Sequence, residues 1–441
     1  MIKHLSPLFL CALLLCPLSS AQEPAQADTP AAPTQDRHEP RYKEAIALIA
    51  TREEANMKKG IPMLTELAES AYAPALDSLA FCYLTGLGVE RNDEAGAKLY
   101  AQAVDQGYTP SIKGLAECYQ KGLGVEKDIA YAQHLYMRLV SMGDYSVTSI
   151  IGSYYAQGLY GVSDSLAAVA WYRLGYEHDD LASSRQMAIA LNNGQGVEKD
   201  ELAAYKIYKK LATERQDGRS WGMMGLYHWA GKVVDMDKEL SIKYFRKGAA
   251  ANDPDSKRYL AYAYRDGQAV SKQSATAFSM LQELAYEGQA IAQLDAALML
   301  KEGDGIPQNF EEAYKLFKMA SDQGFMPATL ELAKAKLKGR GCELDEAGAI
   351  KYLELCEQNG SSAAALLLVI CQREGKGMEA NPAKAHEMLI DLAQKKCFGA
   401  NYELGRDLEK GRGVKADPAQ AQKYYQKAQD EGDTRAKEKL H

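Results

Sequence analysis

Apolar and polar positions follow a helical period along this chain, and the pattern restarts every 36 residues. The stretch ANYELGRDLEKGRGVKADPAQAQKYYQKAQDEGD, starting at Ala400, shows one copy. Ala400, Leu404 and Leu408 recur every fourth residue, with Gly405 beside them, and form one face of a first helix. Gly411 and Gly413 end it, because glycine adopts the positive φ of a helix terminus without a Cβ penalty. Asp417 caps a second helix, and Pro418 occupies its first position, where a missing amide hydrogen costs nothing. Ala421, Tyr424, Tyr425 and Ala428 form the apolar face of that helix, and Gly432 stops it.

The same grammar runs through most of the chain. Gly86, Gly122, Gly158, Gly194, Gly231, Gly267, Gly303, Gly339, Gly375 and Gly411 are spaced by 36 residues, except for a gap of 37 from Gly194 to Gly231. Small residues share one phase of the first helix, as at Ala80, Ala116, Gly225 and Ala333. Large rings share one phase of the second, as at Tyr100, Tyr136, Tyr172, Tyr208, Phe245, Phe317 and Tyr425. Alternating small and large positions lets neighbouring helices interlock. Asp128, Asp164, Asp200, Asp237, Asn309, Asp345, Asn381 and Asp417 stand where caps of second helices belong. The fold expected is all-α: an α/α superhelical solenoid of about eleven helical hairpins with a 36-residue period. Residues 41–441 form this single array, with a divergent cap over 41–73, regular repeats over 74–432 and a tail over 433–441. Within the cap, one helix runs to Met57, a turn falls near Gly60, and a second helix covers Met63 to Ala71.

The ends change the picture of where this array works. Lys3 and His4 precede an apolar run from Leu5 to Cys16, and Ser19 and Ala21 supply small residues before Gln22. Residues 1–21 therefore read as a secretory signal peptide, which places the mature chain in the periplasm or outside the cell. Residues 22–40, rich in proline, alanine and acids, read as a disordered linker. No later stretch has the length of a membrane helix, so no membrane insertion is expected after signal cleavage. The formal charge of −7 offers no general attraction to nucleic acid. Cys82, Cys118, Cys342, Cys356, Cys371 and Cys397 remain after cleavage; small buried hydrophobes are the plain reading, and Cys356 with Cys371 is the pair best placed for a bridge. No cysteine or histidine pairs have zinc-ligand spacing, and no metal or cofactor is expected.

The segments LAECYQKGLGVEKD from Leu115, IGSYYAQGLYGVSD from Ile151 and LGRDLEKGRGVKAD from Leu404 closely resemble the Sel-one-like repeat family, relatives of the tetratricopeptide repeats. The resemblance spans roughly residues 60 to 432; the loops at Gly231 and Gly267 depart from it by losing their second glycine. It implies an adaptor or scaffold role, and in bacteria an exported protein of envelope maintenance, secretion or polysaccharide assembly, or host interaction. Relatives reported to bind or hydrolyse β-lactams carry a regular cysteine pair in nearly every repeat, which this chain lacks.

Chemistry of its own is hard to find. The G-x-G segments follow helices, whereas a dinucleotide fingerprint follows a strand. His134, His178, His228 and His386 are scattered without a catalytic context, and no catalytic residue is assigned. The one local anomaly is aromatic: Trp171, Trp221 and Trp229 all fall between Ala170 and Gly231, near several tyrosines. Trp171 and Tyr172 read as core, whereas Trp229 stands at a position expected to face solvent. Trp229, Tyr154, Tyr262 and Tyr227 are the candidate partner-binding residues. The reading is an exported scaffold that binds a protein or peptide, envelope or host-derived, on a concave face lined by first helices. Two other readings stand beside it: a hydrolase of β-lactams or peptidoglycan, and a wall-glycan binding module.

Overall fold

The computed structural model describes residues 35–440. The expected signal peptide and most of the expected linker lie outside the described residues, as does His441. The chain falls into two compact units divided after Ser163. The first contains α1 (Gln35–Ala50), α2 (Glu54–Glu69), α3 (Ala73–Thr85), α4 (Asp93–Asp105), α5 (Pro110–Lys121), α6 (Ile129–Ser141) and α7 (Thr148–Gln157). The second opens with α8 (Ser165–Glu177), α9 (Leu181–Asn193), α10 (Glu201–Arg215), α11 (Gly218–Ala230), α12 (Lys238–Ala250), α13 (Pro254–Asp266), α14 (Ser274–Tyr286) and α15 (Ala290–Glu302). It continues through α16 (Phe310–Asp322), α17 (Met326–Lys336), α18 (Glu346–Gln358), α19 (Ser362–Glu374), α20 (Pro382–Gln394), α21 (Ala400–Lys410) and α22 (Pro418–Asp430). No strand occurs among the described residues, and the helices follow one another two to a repeat, as the periodicity requires.

Each anticipated cap of a second helix works: Asp237, for example, accepts the backbone N–H of Leu240, and Asn309 that of Glu312. The ring positions of the second helices are buried throughout, from Tyr100 to Tyr425. The small position of the first helix explains itself at Gly225, where an added Cβ would lie 2.4 Å from a ring carbon of Phe245. A methyl group there would displace the ring that fills the hairpin.

The G-x-G loops have a backbone reason. The first glycine of each holds φ between +60° and +71° and closes the first helix, except Gly339, where Leu337 is the C-cap and the glycine follows it. The second lies against the preceding repeat. A Cβ on Gly341 would sit 1.9 Å from the carbonyl oxygen of Phe310, the first residue of α16, 31 residues earlier. Gly124, Gly196, Gly377 and Gly413 meet Asp93, Ser165, Glu346 and Pro382 at the same separation. These glycines make room for a neighbouring backbone. Where the second glycine is missing, Val233 and Ala269 still adopt φ of +69° and +55°.

Three boundaries differ from the sequence reading. Helix α1 begins at Gln35, inside the expected linker. The turn of the cap lies over Thr51–Glu53, with Arg52 at φ +57°, and Gly60 lies inside α2. A Cβ on Gly60 would meet Ile49 Cγ1 at 2.8 Å and the Ala45 carbonyl oxygen at 2.9 Å, so this glycine brings two helices together. The 37-residue spacing is absorbed by α10, which has 15 residues where most second helices have 13. The final residues are ordered too: a 3-10 helix over Thr434–Lys439 buries Ala436 against α22.

Candidate functional site

The four candidate residues do not form one exposed patch. Tyr154, in α7, is 3% exposed, with its ring edge-on to Tyr136 and Tyr160. Burial pushes its phenol up to about 12. Tyr227 is 5% exposed and donates its hydroxyl to Asn192 Oδ1 at 2.8 Å. Both stand four residues before their repeat glycines, the position held by the buried Cys82, Cys118 and Cys371. Their burial follows from that phase, and neither offers its ring to a partner.

Trp229 is half-buried, in contrast to the expected solvent-facing position. Its ring lies 6.3 Å from that of Phe245, and the Lys238 ammonium approaches it at 5.0 Å. Tyr262 donates its hydroxyl to the Asp295 carboxylate and accepts from Arg258 at 3.3 Å. Arg258 and Arg265 lie over its ring at 5.7 and 5.0 Å, so its π face is engaged within the chain. Trp229 and Tyr262 belong to one continuous ring chain through Phe245 and Tyr259, whereas Tyr227 packs with Tyr205 and Tyr208.

A ladder between successive first helices adds to the tryptophan's burial. The residue two before one repeat's glycine meets the residue eight before the next, 30 positions on. Trp229 and Tyr259 share an apolar cluster, as do Leu337 and Leu367. Lys301 pairs with Glu331 at 3.0 Å, and Arg373 with Glu403 at 2.8 Å. Arg265 acts electrostatically on Asp295, whose carboxyl is raised by burial against the lowering pull of Tyr262, Arg258 and Arg265. Complementary charges at the 30-residue spacing were visible in the sequence, and pairing the two phases would have found them.

The Arg373–Glu403 rung extends into a buried charged cluster that sequence reasoning missed. The Arg373 side chain is 2% exposed and also pairs with Asp407 at 2.8 Å; Asp407 is fully buried and faces His386 Nδ1 at 3.3 Å. Glu403 takes a second cation, Arg406, at 3.0 Å. Asp407 occupies the cysteine phase of its repeat, and an acid among cysteines, alanines and tyrosines was the available signal. The cluster balances acids against guanidinium groups and leaves no nucleophile beside a base.

The proposed Cys356–Cys371 bridge is corrected: all six described cysteines are free thiols. Cys356 directs its sulfur at the Met326 carbonyl oxygen, 3.7 Å away, while Cys371 packs in the same apolar cluster. Burial satisfies both as small hydrophobes. Among the described residues no three His, Cys, Asp or Glu side chains gather to hold a metal ion. No described helix is long and apolar enough to cross a membrane.

The chain is similar to known repeat proteins. The crystal structure of c5321, a protective antigen present in uropathogenic Escherichia coli strains displaying an SLR fold, is 26% identical, with a TM-score of 0.56 over 86% of this chain and 81% of its own. A Sel1 repeat protein from Oxalobacter formigenes is 18% identical over 56% of this chain and 96% of its own, with a TM-score of 0.49. No curated protein matches the chain significantly. The family model of the Sel1 repeat matches ten successive stretches, from 73–108 to 399–433. Ten in-phase matches, each over one helical pair, leave one assignment: the chain belongs to the Sel1 repeat family.

Proposed function

We propose that this chain is an exported interaction scaffold of the cell envelope that binds a protein or peptide through its first helices. Sel1 repeat solenoids commonly serve as protein–protein interaction scaffolds. The observation that carries the reading is the contrast between frame and rungs. Capping residues, loop glycines and buried rings recur from repeat to repeat, while the first-helix ladder changes from aromatic at Trp229 and Tyr259 to charged at Lys301 and Glu331 to aliphatic at Leu337 and Leu367. A constant frame with varied side chains is how repeat proteins build binding surfaces. Export rests on the leader-like residues 1–21.

Affinity capture with the full chain from an envelope extract of its native cell, under mild crosslinking, tests the binding role. A discrete, saturable partner is the expected result, and none above the level of an unrelated helical protein overturns it. Terminal sequencing tests export: the mature chain should begin at Gln22 in a fraction outside the cytoplasmic membrane, and an intact leader in the cytosol removes that part.

A further inference from the structure

The second unit contains a cavity of about 160 Å³ bounded by α15, α16, α17 and the loop after α17. Its floor is aromatic, formed by Phe310, Tyr314 and Phe317 of α16. Its rim is cationic: Lys301 from α15, Lys334 from α17, and Lys338 and Arg340 from the loop. Glu331 is the one acid in the lining, and it is already shared by Lys301 at 3.0 Å and Lys334 at 2.7 Å. One carboxylate against four cations leaves the mouth strongly positive, in a chain whose total charge is −7.

Size and charge together select an occupant. A cavity near 150 Å³ holds about one benzene-sized group, well below the ~300 Å³ at which pockets for whole small molecules begin. One apolar side chain fits, with its chain continuing outside. Lys338 and Arg340 are exposed, and no carboxylate of the described residues pairs with either; Arg340 instead lies over the Phe310 ring at 5.5 Å. Both therefore stand beside the aromatic floor with charge to spare. Net acidity of the whole chain disfavours nucleic acid, whose backbone would be repelled elsewhere along its length.

We infer that this cavity is a docking site for an acidic peptide segment that inserts one apolar side chain onto Phe310, Tyr314 and Phe317. Carboxylates flanking that side chain pair with Lys338 and Arg340. The inference deepens the scaffold reading and rests on it, since it names the chemistry of the partner.

The test uses the full mature chain and short fluorescein-labelled peptides, followed by anisotropy. One peptide carries a central phenylalanine between glutamates, a second has glutamines in place of the glutamates, and a third has alanine in place of the phenylalanine. The first should bind, weaken as ionic strength rises to the physiological level, and bind more tightly than the other two. The double variant K338E/R340E changes surface side chains only. It should keep native helicity and melting and weaken the first peptide at least about tenfold, equivalent to about 1.4 kcal/mol. Ala335→Leu, which fills the cavity and leaves the rim unchanged, should weaken it too. Equal binding of the glutamine peptide, unaltered binding by K338E/R340E, or stronger binding of a single-stranded oligonucleotide would overturn the inference. Retention of a captured envelope partner by K338E/R340E would remove this cavity from the account and leave the scaffold reading standing.

Discussion

Lys301 of α15 and Glu331 of α17 form an ion pair at 3.0 Å between neighbouring first helices, with Lys334 on the other side of the same carboxylate at 2.7 Å. Burial alone would raise the Glu331 carboxyl, but hydrogen bonds from Lys334 and Lys301 outweigh it and hold the group below the usual glutamate range. A depressed native value stabilises the fold at pH above the unfolded-state value of about 4.3, and the contribution is lost as pH falls through the native value. Glu331→Gln should therefore cost about 1 kcal/mol at neutral pH and much less at pH near 3. Urea unfolding at both pH values checks it; an equal loss at both would show that the ionised pair contributes nothing.

Asp407 should be far less replaceable. It is fully buried against Arg373, whose side chain is 2% exposed, so Asp407→Ala leaves a guanidinium short of one partner in the interior. A loss of about 3–5 kcal/mol is expected, concentrated in the C-terminal repeats. The double variant R373M/D407L should recover most of it, because Glu403 retains Arg406 at 3.0 Å. Hydrogen exchange of α21 amides reads the local effect, which one global transition would blur in a repeat array.

Two glycines with the same backbone sign should respond differently to alanine. Gly360, at φ +82°, has nothing within 4 Å of an added Cβ, so G360A should cost only the left-handed penalty of about 1 kcal/mol. Gly341 adds a collision with the Phe310 carbonyl, and G341A should cost several times more. Thermal melts of the two variants side by side decide this; equal shifts would mean that the close approach relaxes freely.

Val233 offers the converse. A β-branched residue at φ +69° carries left-handed strain, and V233G should raise stability by about 0.5–1 kcal/mol after the entropic cost of glycine is met. A lower denaturation midpoint would show that the Val233 side chain contributes packing worth more than its strain.

Thiol chemistry tests the cysteine assignment. Burial pushes Cys118 and Cys371 up to about 11, while Cys342 is only half-buried. Iodoacetamide at mildly alkaline pH should label Cys342 first, and the buried thiols only after unfolding. Mass spectrometry that finds Cys356 and Cys371 joined in the native chain would restore the bridge.

Much of this architecture was legible because a repeat reports its own backbone. A helix end, a cap such as Asp237 and a ring such as Phe245 are decided within a few residues or by the facing helix of the same hairpin. Contacts between repeats were harder to read. Gly60 looked like a turn because glycine beside Ile61 and Pro62 is a local breaker, yet its role is to admit the neighbouring helix. Trp229 looked exposed because most copies carry a polar residue at that phase; here Phe245 and Lys238 of its own hairpin lie against the ring, and Tyr259 of the next repeat joins the same apolar cluster. The buried Arg373–Asp407 pair escaped for the same reason, each member being unremarkable until the two phases are laid side by side.

The seating of Gly341 on the Phe310 carbonyl gives the chain a direction. Gly124, Gly196, Gly341, Gly377 and Gly413 each lean on the first residue of a helix 31 residues earlier, so in a polypeptide emerging from its amino end the support precedes the loop that rests on it. Growth by duplication must likewise copy a full period, since a fractional insertion would carry the loop past its support. The longer α10 shows the permitted exception: it is two residues longer than α12 and the turn after it one shorter, so the extra residue is absorbed before the following loop is reached.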